Sequence, residues 1–223
     1  MRNKRKREKR IRNKGKQVCA KACEHKMKSN EEAMNRQPQV QITPQEILSS
    51  IPKELQECAR WVLWRYTEDG RKLPLQPNGK AASTKDPSTW STLSEVLDCY
   101  FPFQHDGIGF VFTDDDDITG LDLDDAIDPE TGELYPEARE ILRHCGKIYA
   151  ERSPSGRGVK VLFRTKRRGR GRRGKYGKVG VELYFQERFF TITGAKLEGH
   201  SNELAEADKL LEFLDQNVFS EWI

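Results

Sequence analysis

The stretch Gly120-Leu121-Asp122-Leu123-Asp124-Asp125 decides how this chain is read. Apolar and acidic residues alternate through it. On a strand, residues two apart share a face, so Asp122 and Asp124 stand side by side. Neighbouring carboxylates repel each other, and a divalent cation between them supplies the compensating charge. A solvated acidic strand end is the plainer alternative for a bare Asp-x-Asp pair. Upstream, Gly107-Ile-Gly-Phe-Val-Phe-Thr113 reads as a buried strand and Asp114 to Asp117 as a turn. The expectation is therefore a hairpin whose second strand presents the two acids.

Beyond Asp125, a polar turn over 128–133 leads to a helix from Pro136 to Cys145. The segment Ile148 to Arg152 is a strand, followed by the small-residue loop Ser153-Pro154-Ser155-Gly156-Arg157-Gly158 and the strand Val159 to Arg164. Loop glycines let backbone amides approach an anion, and Ser155, Arg157 and Lys160 add donors suited to a triphosphate. An ordinary strand-to-strand turn is the alternative. Because a strand follows the loop, rather than a helix, a Walker-type or dinucleotide site is disfavoured. From Arg164 to Lys178 the chain holds nine basic residues and no acid, which reads as a flexible, positive loop. Arg167, Arg168, Arg170, Arg172 and Arg173 in it are candidates for contacting nucleic-acid phosphates. Two further strands, Val179 to Phe185 and Arg188 to Thr193, precede a helix capped by Asn202 and running through Leu214. Glu182 interrupts an apolar strand, so it either faces outward or joins Asp122 and Asp124 as a third acid. Arg188 is equally suited to an ion pair or a phosphate, and Tyr184 reads as core.

Toward the N-terminus, Thr92 or Ser91 caps a helix over 93–100. Trp61 to Tyr66 and Arg71 to Gln76 are paired strands. Trp61 and Trp64, three apart, point to opposite faces. Thr43, Pro44 and Glu46 form a capping box opening a helix to Ser50, and a short helix follows Pro52. Residues 1–40 carry 14 Lys and Arg against 4 Asp and Glu, a net of +10. The chain total is +4, so residues 41–223 carry −6. The division expected is a basic, disordered tail over 1–40 and a folded domain over 41–223. The tail either binds phosphates or merely solubilises. Five cysteines without repeated spacing point to reduced thiols and a cytoplasmic protein. Cys19, Cys23 and His25 lack a second ligand pair for zinc. No apolar run is long enough to span a membrane, and no secretory signal is present, so no membrane partner is expected. The mixture of hairpins and helices argues for an α+β domain.

The ordered set of Ala82-Ser83-Thr84, Asp86-Pro87-Ser88-Thr89-Trp90-Ser91, the 107–113 strand, Gly120 to Asp125, Ser153 to Lys160, and Val181 to Gly194 resembles the archaeo-eukaryotic primase superfamily. Its phage- and plasmid-type primase–polymerase domain, found at the N-terminus of primase–helicase proteins, is the branch it looks most like. The resemblance covers about 45–215. It implies an RRM-like catalytic sheet with a flanking α/β unit, and template-directed nucleotidyl transfer by a two-metal mechanism with Mg²⁺ or Mn²⁺. By resemblance, Asp122, Asp124 and Glu182 are the metal ligands, and Ser155, Arg157, Lys160 and Arg188 hold the nucleotide. The implied partners are a DNA template and primer, nucleoside triphosphates and a separate replicative helicase. Two departures stand out. Lys160 occupies a place where the family usually has histidine, and Tyr184 to Arg188 differs from the usual Tyr-Asp-x-Gly-Arg turn. Two readings compete with this one: an inactive nucleic-acid-binding relative, and a metal-dependent nuclease using the same acids.

Overall fold

The computed structural model describes residues 43–100, 105–115 and 117–219. The basic tail and its Cys19, Cys23 and His25 lie outside these residues. Each early helix begins where a side chain can satisfy its first amides. Thr43 accepts from the Glu46 amide while Glu46 returns a bond to the Thr43 amide, which starts α1 (Pro44–Ser50). Helix α2 (Lys53–Gln56) follows. Thr92 and Glu95 repeat the capping box at α3 (Leu93–Asp98).

The strands form two antiparallel sheets, so the domain is of the mixed α+β kind. The first contains β1 (Trp61–Tyr66), β2 (Lys72–Leu75), β3 (Gly107–Phe112) and β9 (Arg188–Ile192), in the order β2-β1-β3-β9. Trp61 and Trp64 are both buried on it. Their indoles donate to the Leu55 and Ile108 carbonyls, respectively. The second sheet contains β4 (Ile118–Asp124), β5 (Ala150–Arg152), β6 (Val159–Arg164), β7 (Arg172–Tyr176) and β8 (Val179–Tyr184). Its order is β5-β6-β4-β8-β7. Helices α4 (Pro136–Cys145) and α5 (Asp208–Asn217) bury Ala138, Ile141, Leu210 and Leu214 in one core with Leu121, Leu123, Val161 and Val181. The apolar half of the alternation therefore points at the helices and leaves the charged half on the other face.

Three expectations need correction. First, β3 and β4 do not form a hairpin. β3 is buried on both faces and sits between β1 and β9, while β4 sits between β6 and β8. The acidic segment between them carries the chain from one sheet to the other, and Asp117 anchors it to the Arg164 side chain and the Thr165 amide. Second, the positive segment 164–178 is not all loop. Arg172–Tyr176 is an edge strand whose alternate residues meet α5: Arg172 pairs with Asp215, Tyr176 packs on Phe213, and Gly174 lies against Val218. Gly177, at φ 58°, makes the turn into β8. Third, the last helix starts at Asp208. Asn202 instead donates to the Ser49 carbonyl and accepts from Lys196.

Cys58, Cys99 and Cys145 are free thiols. No helix among the described residues is long and apolar enough to cross a membrane.

At Gly120, β4 runs close under two aromatic rings of the first sheet. A Cβ there would lie 2.6 Å from the Phe112 ring and 3.3 Å from that of Phe190. Both rings are buried and cannot swing aside. We predict that Gly120→Ala lowers stability by about 1–3 kcal/mol in urea unfolding. An unchanged midpoint would show that the sheets are not packed this tightly.

Candidate active site

The register of the second sheet puts five charged residues on one rung. Glu151 lies opposite Lys160, Lys160 opposite Asp122, Asp122 opposite Glu182, and Glu182 opposite Arg173. Directly opposed residues share a face and bring their Cβ atoms to about 4.5–5.5 Å. All five therefore project from the face that the helices leave uncovered. Lys160 Nζ donates to Asp122 Oδ2 at 2.5 Å and sits 4.0 Å from the centre of the Phe190 ring on β9. Arg173 forms an ion pair with Glu182. The other Asp122 oxygen, Oδ1, is buried and has no hydrogen-bond partner among the described residues.

Asp124 lies one step along the same face, opposite Gly180, whose lack of a side chain leaves room beside it. Burial first, then the charges of Asp122 and Glu182, push the Asp124 carboxyl from 3.8 up to about 6, against the pull of Lys160 and Lys72. One edge of Asp124 stays open to solvent. The rung thus gathers Asp122, Asp124 and Glu182, yet two of these acids are already answered by a cation. Among the described residues no group of three His, Cys, Asp or Glu side chains is arranged to hold a metal ion.

Two clefts flank the acids. One of about 280 Å³ lies between the sheets and is lined by Asp122, Lys160, Lys72, Arg188, Tyr184 and Phe190, among others. One of about 650 Å³ includes Asp124, Glu182, Arg173, Lys175, Lys178 and Asn217 in its lining. The first sets three cations, Lys72, Lys160 and Arg188, against two carboxylates, Asp122 and Glu187, between the aromatic rings of Tyr184, Phe189 and Phe190. Burial, and next the neighbouring Lys160 charge, lower the Lys72 amine to about 8.

The remaining candidates are distributed unevenly. Arg188 reaches the smaller cleft and stacks toward Tyr184. Ser155 bonds the Ser153 hydroxyl and accepts from the Arg157 amide, which closes the loop on itself. Arg157 points to Asp125, at 3.8 Å, just past the end of β4. Neither Ser155 nor Arg157 lines either cleft. Of the basic series, Arg167 and Arg172 both pair with Asp215 on α5, and Arg168 donates to backbone carbonyls. Arg170 is exposed, and Arg173 alone of the five faces the acids.

Sequence reasoning missed Lys72 and Glu151, and read Tyr184 as core, where it does pack partly buried, without placing it at the cleft. Tyr184 is two residues from Glu182, so it shares that face and lines the cleft. That parity was the available signal. Lys72 carries no local signal, because only the approach of the first sheet brings it to the acids. Glu151 is fully buried, and its signal was a lone carboxylate in an apolar strand.

No family model matches the chain. It is 33% identical over 185 residues to the DNA primase-polymerase of Nitratiruptor phage NrS-1, a match covering 77% of this chain and 24% of that protein. The chain thus spans about a quarter of the length of this relative.

A carboxyl whose folded pKa lies above its unfolded value binds its proton more tightly in the folded state. Its contribution to stability therefore falls as pH rises from 3.8 through about 6. Asp124→Asn should raise the melting temperature near pH 7.5 and change it less near pH 4.5, where the folded wild type already holds the proton. A larger gain at the lower pH would contradict this.

Proposed function

From the assignment to the primase–polymerase superfamily that this homology supports, we propose that the chain is a DNA primase/polymerase domain. It would catalyse template-directed nucleotidyl transfer in the cytoplasm during replication of a mobile element or phage-like replicon. In this reading the five-stranded sheet is the RRM-like catalytic sheet and the four-stranded sheet belongs to the flanking unit. Asp122, Asp124 and Glu182 hold Mg²⁺ or Mn²⁺. The observation that carries the reading is the Asp122 Oδ1 atom, buried and unpartnered at the centre of an acidic group. A buried carboxylate oxygen without a donor is costly, and a cation relieves it. When bound, such cations activate an attacking hydroxyl and stabilise a leaving pyrophosphate.

The chain's own groups divide the substrates between the two clefts. Lys160, Lys72 and Arg188 line the smaller one beside Asp122 and suit a triphosphate. Tyr184 and Phe190 offer apolar walls there for the sugar or base. Lys160, standing where histidine is usual, acts as a fixed positive charge because Asp122 holds it. Ser155 and Arg157 line neither cleft, and in this reading they act only by shaping the β5–β6 loop beside Asp125. Arg173, Lys175 and Lys178 beside Asp124 suit phosphates of a primer–template. Arg167, Arg168, Arg170 and Arg172 lie outside that cleft, Arg167 and Arg172 being paired with Asp215, and in this reading they meet nucleic acid only beyond it. A replicative helicase is the protein partner in this reading.

A second reading, an inactive nucleic-acid-binding relative, is favoured by one observation: Lys160 and Arg173 neutralise Asp122 and Glu182. Primer extension with Mg²⁺ or Mn²⁺ separates the two. The wild type should extend a primed template, and Asp122→Ala/Asp124→Ala should lose on the order of a hundredfold or more. No extension by either protein, with both still shifting the template in a gel, would select the inactive binder.

Arg173 and a cation compete for Glu182 in this account. We predict that Arg173→Ala tightens Mn²⁺ binding by about threefold to tenfold in titration calorimetry. Unchanged or weaker binding would remove Glu182 from the ligand set.

A further inference from the structure

Glu151 stands at the end of the charged rung and has no role in the reading above. It is fully buried, and so is its rung neighbour Lys160. Its carboxylate collects three donors. Oε2 accepts from the Tyr149 hydroxyl at 2.6 Å and the Gly194 amide at 2.8 Å, and Oε1 accepts from the Thr193 amide at 2.9 Å. Burial pushes the Glu151 carboxyl above its ordinary value, while the Tyr149 hydroxyl, the two amides and the Lys160 charge pull it back toward the ionised form. The location of the two amides matters most. Thr193 and Gly194 directly follow β9, the strand of the other sheet that carries Arg188 and Phe190 into the smaller cleft. The same join is reinforced around Glu151: Thr193 Oγ1 donates to the Arg152 carbonyl, and the Arg152 amide donates to Ala195. Glu151 therefore joins β5 to the end of β9, and its register places it beside Lys160. It flanks Lys160 on the β6 side and holds the end of β9 on the other.

We propose that Glu151 is a positioning residue, a buried carboxylate that clamps β9 to the second sheet and, across the rung, keeps Lys160 seated between itself and Asp122. Lys160 is a flexible ammonium whose place would otherwise be set by Asp122 alone. With the Asp122 carboxylate on one side, the Glu151 carboxyl opposite it on the other and the Phe190 ring above, it has one seat. The consequence for substrate rests on the nucleotide reading of this cleft: the seated Lys160 presents a fixed charge to a triphosphate, and loss of Glu151 should weaken triphosphate binding more than turnover.

Glu151→Gln tests this with little change of shape. The amide can keep the Tyr149 and Gly194 bonds through its oxygen, but its NH₂ then faces the Thr193 amide, donor against donor. The readout is acylation of lysines by an N-hydroxysuccinimide ester, resolved by mass spectrometry. Exposed Lys147 and Lys209 serve as internal references. The expected result is that Lys160 labelling rises about tenfold in the folded variant while the references stay constant. Tyr149→Phe removes one donor and leaves the carboxylate. It should give a rise of about threefold, and it carries the test alone should Glu151→Gln fail to fold. Wild-type protection of Lys160 in the folded variant overturns the proposal. Binding of dATP, measured in parallel, keeps the two ideas apart. Exposure of Lys160 with no triphosphate binding by the wild type sinks the nucleotide reading and leaves the clamp standing. Exposure together with about tenfold weaker dATP binding supports both.

Discussion

Everything at this site depends on Asp122 being flanked by opposite kinds of neighbour: Lys160 on one side, Glu182 on the other. A carboxylate in the middle of a sheet pays a desolvation cost that only a close cation offsets. Lys160, almost wholly buried, supplies that cation for one oxygen. Nothing among the described residues supplies it for the other. The pair is thus half of an arrangement. Deleting either partner would strand a buried charge, a change that typically costs about 3–5 kcal/mol. Such charges do not justify themselves as stability devices, since an apolar pair of similar volume does as well.

The two-sheet construction follows from the same constraint. Strand β4 has one apolar face, consumed by α4 and α5, and one charged face that cannot be buried in oil. The first sheet covers part of that charged face with Phe112 and Phe190, leaning in over Gly120. Beyond that contact the cover lifts, and the acids open on both sides into clefts lined by basic residues. Chain order explains why this works. The chain leaves the first sheet after β3, builds the whole second sheet, and returns to the first as β9. The junction after β9 is therefore a natural place for a device, such as Glu151, that sets the spacing of the walls.

Much of this was readable from the residues, for definable reasons. Asp122, Asp124 and Glu182 could be placed on strands because alternation with leucine and valine fixes which face they take. Thr43 and Thr92 marked helix starts because a capping box is a local pattern. What escaped reading was mostly non-local, the parity of Tyr184 with Glu182 being the local exception. Strands adjacent in sequence usually pair, which suggested the β3–β4 hairpin. The apolar content of both faces of β3, visible in Gly107 to Phe112, argued for a central position in a separate sheet. In Arg172 to Tyr176 the strand alternation was hidden under a single sign of charge. Its partner Asp215 lies some forty residues away, and only the fold brings it near. Lys72 reaches the site only through sheet packing, which no window of sequence contains, and Glu151, though a lone carboxylate in an apolar strand, is placed beside Lys160 only by register.

The proposed role of Asp122, whose buried Oδ1 accepts no hydrogen bond from the described residues, is to hold a cation. Its most direct test is Mn²⁺ binding followed by electron paramagnetic resonance, with wild type beside Asp122→Asn. The account predicts saturable binding by the wild type that weakens by about tenfold or more in the variant, because a neutral amide is a poor ligand for a hard cation. Equal binding by the two folded proteins, or none by the wild type in the presence of nucleotide, would contradict it.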